Sequence, residues 1–128
     1  MHFEFADSEV AQCSWQEDQL QLRFSAARLV DAPDGMRMGE VLWAPLVLTA
    51  QQVDTNADFV EGCACMGRLR HGFVLHASQR IQKLPVPCEL QGIVTMELEF
   101  AQGTVVHIRC HGLHIHPLQS VAVNAYQC

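Results

Sequence analysis

The sequence predicts a small all-β protein, mainly antiparallel, that folds as a single domain over residues 1–128. Apolar and polar residues alternate with a period of two through most of the chain, while helical periodicity is scarce. Turn-forming residues separate these alternating segments at short intervals. The hydrophobic content of 49% is enough to bury one core without disulfides or a metal ion. We therefore expect about 8–10 strands, arranged as a β-barrel or as a curved two-layer sheet.

The first predicted hairpin joins the segments AQCSW and QLQLRF. In the second segment, Leu20 and Leu22 alternate with polar residues, as they do in a strand with one buried face. A turn through residues 16–19 places Trp15 opposite Leu20 and Cys13 opposite Leu22. An apolar ladder is therefore expected between the two strands.

The alternation stops after this hairpin, and a strand that is apolar on both faces follows. Ser25 is suited to begin a helical turn, so a loop or one short helix is expected near residues 25–31, and APDG is expected to form a turn. In the segment VLWAPLVL, Pro45 cannot donate a ladder hydrogen bond and indicates a sheet edge or a bulge. Such a strand at an edge predicts a homodimer interface; a strand that passes between the sheet and a covering loop is the alternative.

The second half of the chain predicts two further hairpins. One is expected to turn at His71 and Gly72. The other joins IVTMELEF to VVHIRC through the loop AQG, with Gly103 in the left-handed conformation, and it pairs Glu97 with His107. A shift of one residue would turn an apolar face to water, so the register is well determined. Beyond this hairpin, a bulge at Gly112 is expected to restore the alternation.

The stretch HIRCHGLHIH contains four of the seven histidines, and three of them are candidate metal ligands. His107, His114 and His116 share the outer face of the predicted strands. Outer positions repeat about every 7 Å along a strand, so His114 and His116 could share one ion, while His107 would need a neighbouring strand. No paired CxxC spacing completes a zinc site, although the thiols of the CAC segment at residues 63–65 could bind soft metals. No cofactor is expected; a bound transition metal is the alternative to a metal-free polar face.

The net charge of −6 argues against nucleic acid and anionic membranes as partners. The chain lacks the features of a secretory signal and an apolar run of membrane-spanning length, so a cytoplasmic location is expected. Residues 1–61 contain eleven acids against three arginines, whereas residues 62–128 are net basic. Folding either interleaves the halves or leaves a basic surface at residues 68–83.

The leading functional hypothesis is a non-catalytic binding module, for a small molecule in the mouth of the barrel or for a protein partner. The sequence contains no glycine-rich phosphate loop, nucleophile elbow or dinucleotide fingerprint. A fold class does not by itself indicate a function. The candidate ligand contacts are aromatic residues, whose alternative role is core packing, and two arginines of the basic segment: Trp15, Phe24, Trp43, Phe73, Arg68 and Arg70.

Two alternatives come from other functional classes. The first is a metal-dependent or acid–base enzyme that uses the three histidines together with Glu97. The second is an acidic inhibitor or immunity-type protein whose acidic N-terminal half covers a basic partner.

Overall fold

Ten antiparallel strands make up the ordered framework in the computed structural model, which describes residues 1–30, 41–54 and 66–118. The described residues form no helix, and hence none that could cross a membrane. The all-β prediction and the predicted number of strands are confirmed. The strands are β1 (His2–Gln16), β2 (Gln19–Val30), β3 (Val41–Ala50), β4 (Gly67–His76), β5 (Gln79–Ile81), β6 (Lys83–Pro85), β7 (Cys88–Leu90), β8 (Val94–Phe100), β9 (Val105–Cys110) and β10 (Leu113–Pro117).

The strands are hydrogen-bonded in the order β7-β10-β3-β2-β1-β4-β8-β9, with β5 added beside β4 and β6 beside β1. Within the described ranges β7 and β9, at the two ends of this order, do not pair, so the sheet is not closed. Of the two predicted arrangements the closed barrel is therefore wrong. The small-molecule site expected in the mouth of a barrel therefore has no counterpart in these ranges.

The inward-facing residues of the long strands build one contiguous core. Phe3, Phe5 and Phe24 are fully buried at its centre. The ring of Phe3 lies 4.8 Å from that of Phe5 and 5.1 Å from that of Phe24, both in edge-to-face geometry, which suits the charge distribution of aromatic rings. Phe24 is thus a core residue as well as a predicted ligand contact.

The first hairpin has the predicted register. Cys13 pairs with Leu22 and Trp15 pairs with Leu20 across β1 and β2. The connection is the two-residue turn 17–18, in which Glu17 has a φ of 60°. The alternation in the sequence and the length of the turn were sufficient to place this ladder.

The hairpin of β8 and β9 is also confirmed, with Glu97 opposite His107. The backbone N–H of Phe100 donates to the carbonyl of Thr104 at 2.8 Å, and Gly103 has a φ of 108°. The loop AQG therefore closes the hairpin as expected.

The bulge predicted at Gly112 is instead a change of partners between two strands. β9 pairs with β8, whereas β10 lies between β3 and β7. Gln51 N donates to the carbonyl of Gly112 at 2.9 Å, and His111 N donates to that of Gln51 at 2.8 Å. Gly112 has a φ of 146°, and a Cβ there would lie 2.9 Å from Gln51 Oε1. The backbone angle favours glycine at this corner, whereas the flexible end of the Gln51 side chain could move to make space.

The short helix predicted near residues 25–31 is wrong, because residues 25–30 continue β2. Between the pairs Phe24–Leu46 and Ala27–Ala44, β2 contains one residue more than β3. This bulge interrupts the alternation of apolar and polar residues. In the sequence, such an interruption cannot be distinguished from the end of a strand. Pro45 lies opposite the extra residue, so the bulge expected there is confirmed. The APDG segment lies outside the described residues.

The turn predicted at His71 and Gly72 is also wrong. β4 runs through both residues, and the chain turns at Ala77 and Ser78, whose φ values are 53° and 65°. Gly72 is needed for space, because a Cβ there would lie 3.0 Å from the carbonyl oxygen of Glu97 and 3.1 Å from Phe5 Cβ. This requirement arises between distant segments, so the local sequence does not reveal it.

Candidate binding grooves

Irregularities in three neighbouring strands lie side by side in the sheet. The register of β1 against β2 shifts between Glu4 and Glu9 and again before Gln12; β2 has its bulge after Phe24, and β3 has Pro45 opposite it. Such bulges locally increase twist and redirect side chains. Two grooves lie along this line.

We name each groove after one of its lining residues, as the Trp43 groove and the Arg23 groove. The Trp43 groove has a volume of about 470 Å³ and is lined by Asp7, Glu9, Ala26, Trp43 and Arg68. The Arg23 groove has a volume of about 640 Å³ and is lined by Ala11, Gln12, Arg23, Phe24, Ser25, Pro45 and Leu118. Both volumes are within the range of about 300–1,000 Å³ that small ligands occupy.

A buried hydroxyl group holds the wide bulge of β1 beside the Trp43 groove. Ser8 is fully buried, and its Oγ donates to the carbonyl of Glu4 at 2.7 Å and accepts from the backbone N–H of Arg28 at 2.8 Å. Asp7 has a φ of 70° and is exposed. Ser8 thus replaces the ladder contact that the bulge interrupts, and the carboxylate of Asp7 projects at the groove.

Charged side chains of both halves of the sequence meet at this groove. The carboxylate of Asp7 lies 3.2 Å from Arg28 Nη1 and 3.9 Å from Arg68 Nη2. Glu4 lies 3.0 Å from Arg28 Nε and 3.9 Å from Lys83 Nζ. The acidic and basic halves are therefore interleaved here, which is one of the two arrangements the sequence allowed.

Glu9 differs from these acids because, within the described residues, no basic group lies within ion-pair distance of it. Its neighbours in the ladder are Ala26 on β2 and Arg68 on β4. The guanidinium of Arg68 approaches Asp7 rather than Glu9. Trp43, with 53% of its surface exposed, completes the groove.

Two of the six predicted ligand contacts, Trp43 and Arg68, thus come together in one groove. Phe24 contributes to the Arg23 groove from its position in the core. Trp15 packs partly buried against the core on the first hairpin. Within the described parts of the chain, these aromatic residues do not line one common groove.

The other two predicted contacts lie on β4, on the sheet formed with β8. Arg70 Nη1 is 2.8 Å from Glu99 Oε2, and Arg70 Nη2 donates to the carbonyl of Ala101 at 2.9 Å. The guanidinium of Arg80 lies over the ring of Phe73, with its Cζ 4.0 Å from the ring centroid. Neither residue lines the two grooves.

Two histidine–glutamate pairs lie side by side on this sheet. His107 Nε2 is 2.9 Å from Glu97 Oε1, as the predicted register implied. His71 Nε2 is 3.0 Å from Glu99 Oε1, a pair that the sequence analysis missed because His71 was assigned to a turn. Both histidines are about half exposed and lie outside the grooves.

The three histidines predicted as metal ligands are not brought together. His114 and His116 are neighbours on β10 with their rings 5.8 Å apart, and His114 Nε2 is 3.5 Å from Glu89 Oε2. His107 lies on β9, beside Glu97. Among the residues described, no group of three or more His, Cys, Asp or Glu side chains is arranged to hold a metal ion. Cys63 and Cys65 lie outside the described ranges.

Two cysteines are held as neutral thiols. Burial raises the pKa of Cys110 above its ordinary value, and burial also raises that of Cys88. A reactive thiol needs a lowered pKa and access to solvent. Neither cysteine therefore has the properties of a nucleophile.

No protein-family model, curated protein or solved structure matches this chain. The functional argument consequently depends on the chemistry of the two grooves.

Proposed function

We propose that the protein is a non-catalytic binding module whose Trp43 groove receives a basic side chain of a protein partner. The observation that carries this proposal is the half-exposed indole of Trp43 in the same groove as the carboxylate of Glu9, which has no basic partner among the described residues. Tryptophan is enriched among the residues that dominate binding energy at protein interfaces. A cation that lies over an indole ring is attracted by its π-system, and Glu9 offers it a hydrogen-bonded counter-charge.

The surroundings of the groove have the composition of an interface. Val41, two residues before Trp43 on β3 and therefore on the same face of the strand, is 40% exposed, which extends the apolar surface. Asp7 and Arg68 provide a polar rim. An apolar centre with a charged rim is the usual arrangement in protein interfaces, and the net charge of −6 favours encounter with a basic partner. The binding-module hypothesis and the acidic-inhibitor alternative therefore point to the same surface.

The geometry favours binding over acid–base catalysis. The Glu97–His107 pair lies on an open sheet face, outside both grooves. A general base has to be within reach of a bound substrate in a site that positions it. On an open face a carboxylate and an imidazole serve mainly to solvate the sheet.

Capture from native lysate on immobilised full-length protein, followed by binding measurements with the purified partner, tests the proposal. Trp43→Ala is expected to weaken binding on the order of 30-fold or more, as truncation of a central aromatic contact does. Glu9→Gln should weaken it less and reduce its dependence on salt. Leu75→Ala and Glu17→Gln remove an exposed apolar residue and an acid elsewhere, and should leave the affinity unchanged. A partner bound equally well by the Trp43→Ala variant would contradict the proposal.

A second copy of the chain is the other candidate partner. Val41, Leu42 and Trp43 carry no charge, and the described pairings of β3 with β10 extend only over Leu46–Ala50. The homodimer expected from VLWAPLVL would use this part of β3. Sedimentation of the wild type as a dimer at micromolar concentration, and of Leu42→Lys as a monomer, would support a self-partner. A monomeric wild type would leave only a different protein as the partner.

A further inference from the structure

We propose that the Arg23 groove is a separate binding site for a small organic anion with an apolar body. Its lining residues are distinct from those of the Trp43 groove. This site goes beyond the proposed protein-binding function and does not depend on it.

The groove exists because two strands each contain a residue without a partner. Ala11 has no counterpart on β2, and Ser25 has none on β1. On the other side of β2, the extra residue lies opposite Pro45. The ladder is interrupted in both strands at this point, and such bulges bend a strand and increase its twist. The resulting depression has a volume of about 640 Å³.

The cation of the site is Arg23, whose side chain is exposed. Its ladder neighbours are Gln12 on β1 and Val47 on β3, neither of them acidic. Across the described residues, no carboxylate lies within ion-pair distance of its guanidinium, unlike those of Arg28, Arg68, Arg70 and Arg109. A guanidinium offers five N–H donors in a planar fork that fits a carboxylate, sulfonate or phosphate group. Arg23 is therefore free to bind an external anion.

The other lining residues indicate what kind of group is attached to the anionic group of the ligand. Ala11, Phe24, Pro45 and Leu118 contribute apolar surface, and the hydroxyl of Ser25 and the amide of Gln12 are the neutral polar groups. Leu118 is held there by its backbone N–H, which donates to the carbonyl of Pro45 at 3.3 Å. An inorganic anion would leave this apolar surface in water. An aromatic or aliphatic body attached to the anionic group would cover it, with a favourable free energy that increases with the area buried.

Two fluorescent probes with the same ring system separate the charge from the apolar body. Anilinonaphthalene sulfonate is an organic anion, and phenylnaphthylamine is its neutral analogue. We expect the full-length wild type to bind the sulfonate at least about ten-fold more tightly than the neutral probe, the effect of one charge-assisted hydrogen bond. Arg23→Gln should remove this preference by weakening sulfonate binding about ten-fold, with little effect on the neutral probe. Octanoate should displace the sulfonate from the wild type, whereas octanol at the same concentration should not.

Matched variants locate the effect. Arg70→Gln removes one exposed arginine outside the groove and should keep the preference for the sulfonate. Ala11→Glu places a carboxylate in the groove and should weaken the binding of the sulfonate at least as much as Arg23→Gln does. Trp43→Ala should leave the affinities for the two probes unchanged, which separates this site from the Trp43 groove.

Several results would overturn the proposal. They are equal affinity for the two probes in the wild type, unchanged sulfonate binding in Arg23→Gln, an equal loss in Arg70→Gln, or no binding of the sulfonate at millimolar concentration. Circular dichroism of each variant establishes that the sheet is intact before its affinities are compared.

Discussion

At the scale of single residues, the hydroxyl of Ser8 determines whether the wide bulge of β1 can keep its shape. Ser8→Ala would leave the backbone N–H of Arg28 and the carbonyl of Glu4 without their partner in a buried place. An unsatisfied buried polar group costs about 1–3 kcal/mol, so we expect a loss of that size in the free energy of unfolding. Urea denaturation measures it. Ser14→Ala, at an exposed position of the same strand, should change stability by less than about 0.5 kcal/mol; equal effects of the two variants would contradict the role of Ser8.

The buried thiol of Cys110 gives the protein an alkaline limit to its stability. Because burial raises its pKa in the folded state, the neutral form is favoured there. The stabilisation is complete below the ordinary thiol pKa of about 8.5 and is lost as the pH rises through the raised value. We expect the free energy of unfolding to fall above this pH, and to fall less steeply in Cys110→Ala.

The slope of that free energy with pH is the quantity to compare, since the alanine variant also loses packing. Urea denaturation at several pH values from neutral to about pH 10 covers the titration of thiols. Parallel slopes for the two proteins would show that Cys110 does not contribute to the pH dependence.

The sequence predicts single residues well where their role depends on neighbours in one hairpin. Glu97 and His107 were paired correctly because alternation and a three-residue loop define their register. Arg23 could not be singled out, because an exposed arginine in an alternating strand has no distinguishing pattern. Its role depends on bulges in two strands and on the distribution of acids elsewhere in the fold.

At the scale of the elements, β4 passes so close to β1 and β8 that a side chain at residue 72 would push against its neighbours. The Cβ of an alanine there would lie 3.0 Å from a backbone oxygen of β8, which cannot move without displacing the strand. We expect Gly72→Ala to lower the free energy of unfolding by about 1–3 kcal/mol, the usual cost of overpacking. Thermal unfolding measures this, with Leu75→Ala as the control on the exposed face of the same strand. If both variants have the same melting temperature as the wild type, the close approach of the strands is wrong.

Two errors at this scale, the helix expected near residues 25–31 and the turn expected at residues 71–72, came from the same cause. The bulge of β2 at residues 25–26 and the glycine of β4 at residue 72 interrupt a local pattern without ending the strand. From the sequence alone an interruption has the same form as a helix start or a turn. Only the partner strands, which are distant in the chain, decide between these meanings.

At the scale of the whole molecule, the first strand ties distant parts of the chain into one unit. β1 pairs with β2, β4 and β6, and the core is contiguous. We therefore expect a single cooperative unfolding transition in which the calorimetric and van't Hoff enthalpies agree. Two separate transitions, or different midpoints by fluorescence and circular dichroism, would contradict the single domain predicted from the sequence.

The position of β10 between β3 and β7 has a consequence for synthesis on the ribosome. The segment Leu46–Ala50 of β3 needs β10 on one side, and β10 follows it roughly sixty residues later in the chain. At about 5–20 residues per second, the ribosome delivers β10 several seconds after β3. During that interval β1, β2 and β3 can pair, but β3 presents an unprotected edge of Leu, Val and Ala residues to other nascent chains. Chaperones that bind apolar strands near the tunnel exit are therefore expected to act on this protein between the emergence of β3 and that of β10.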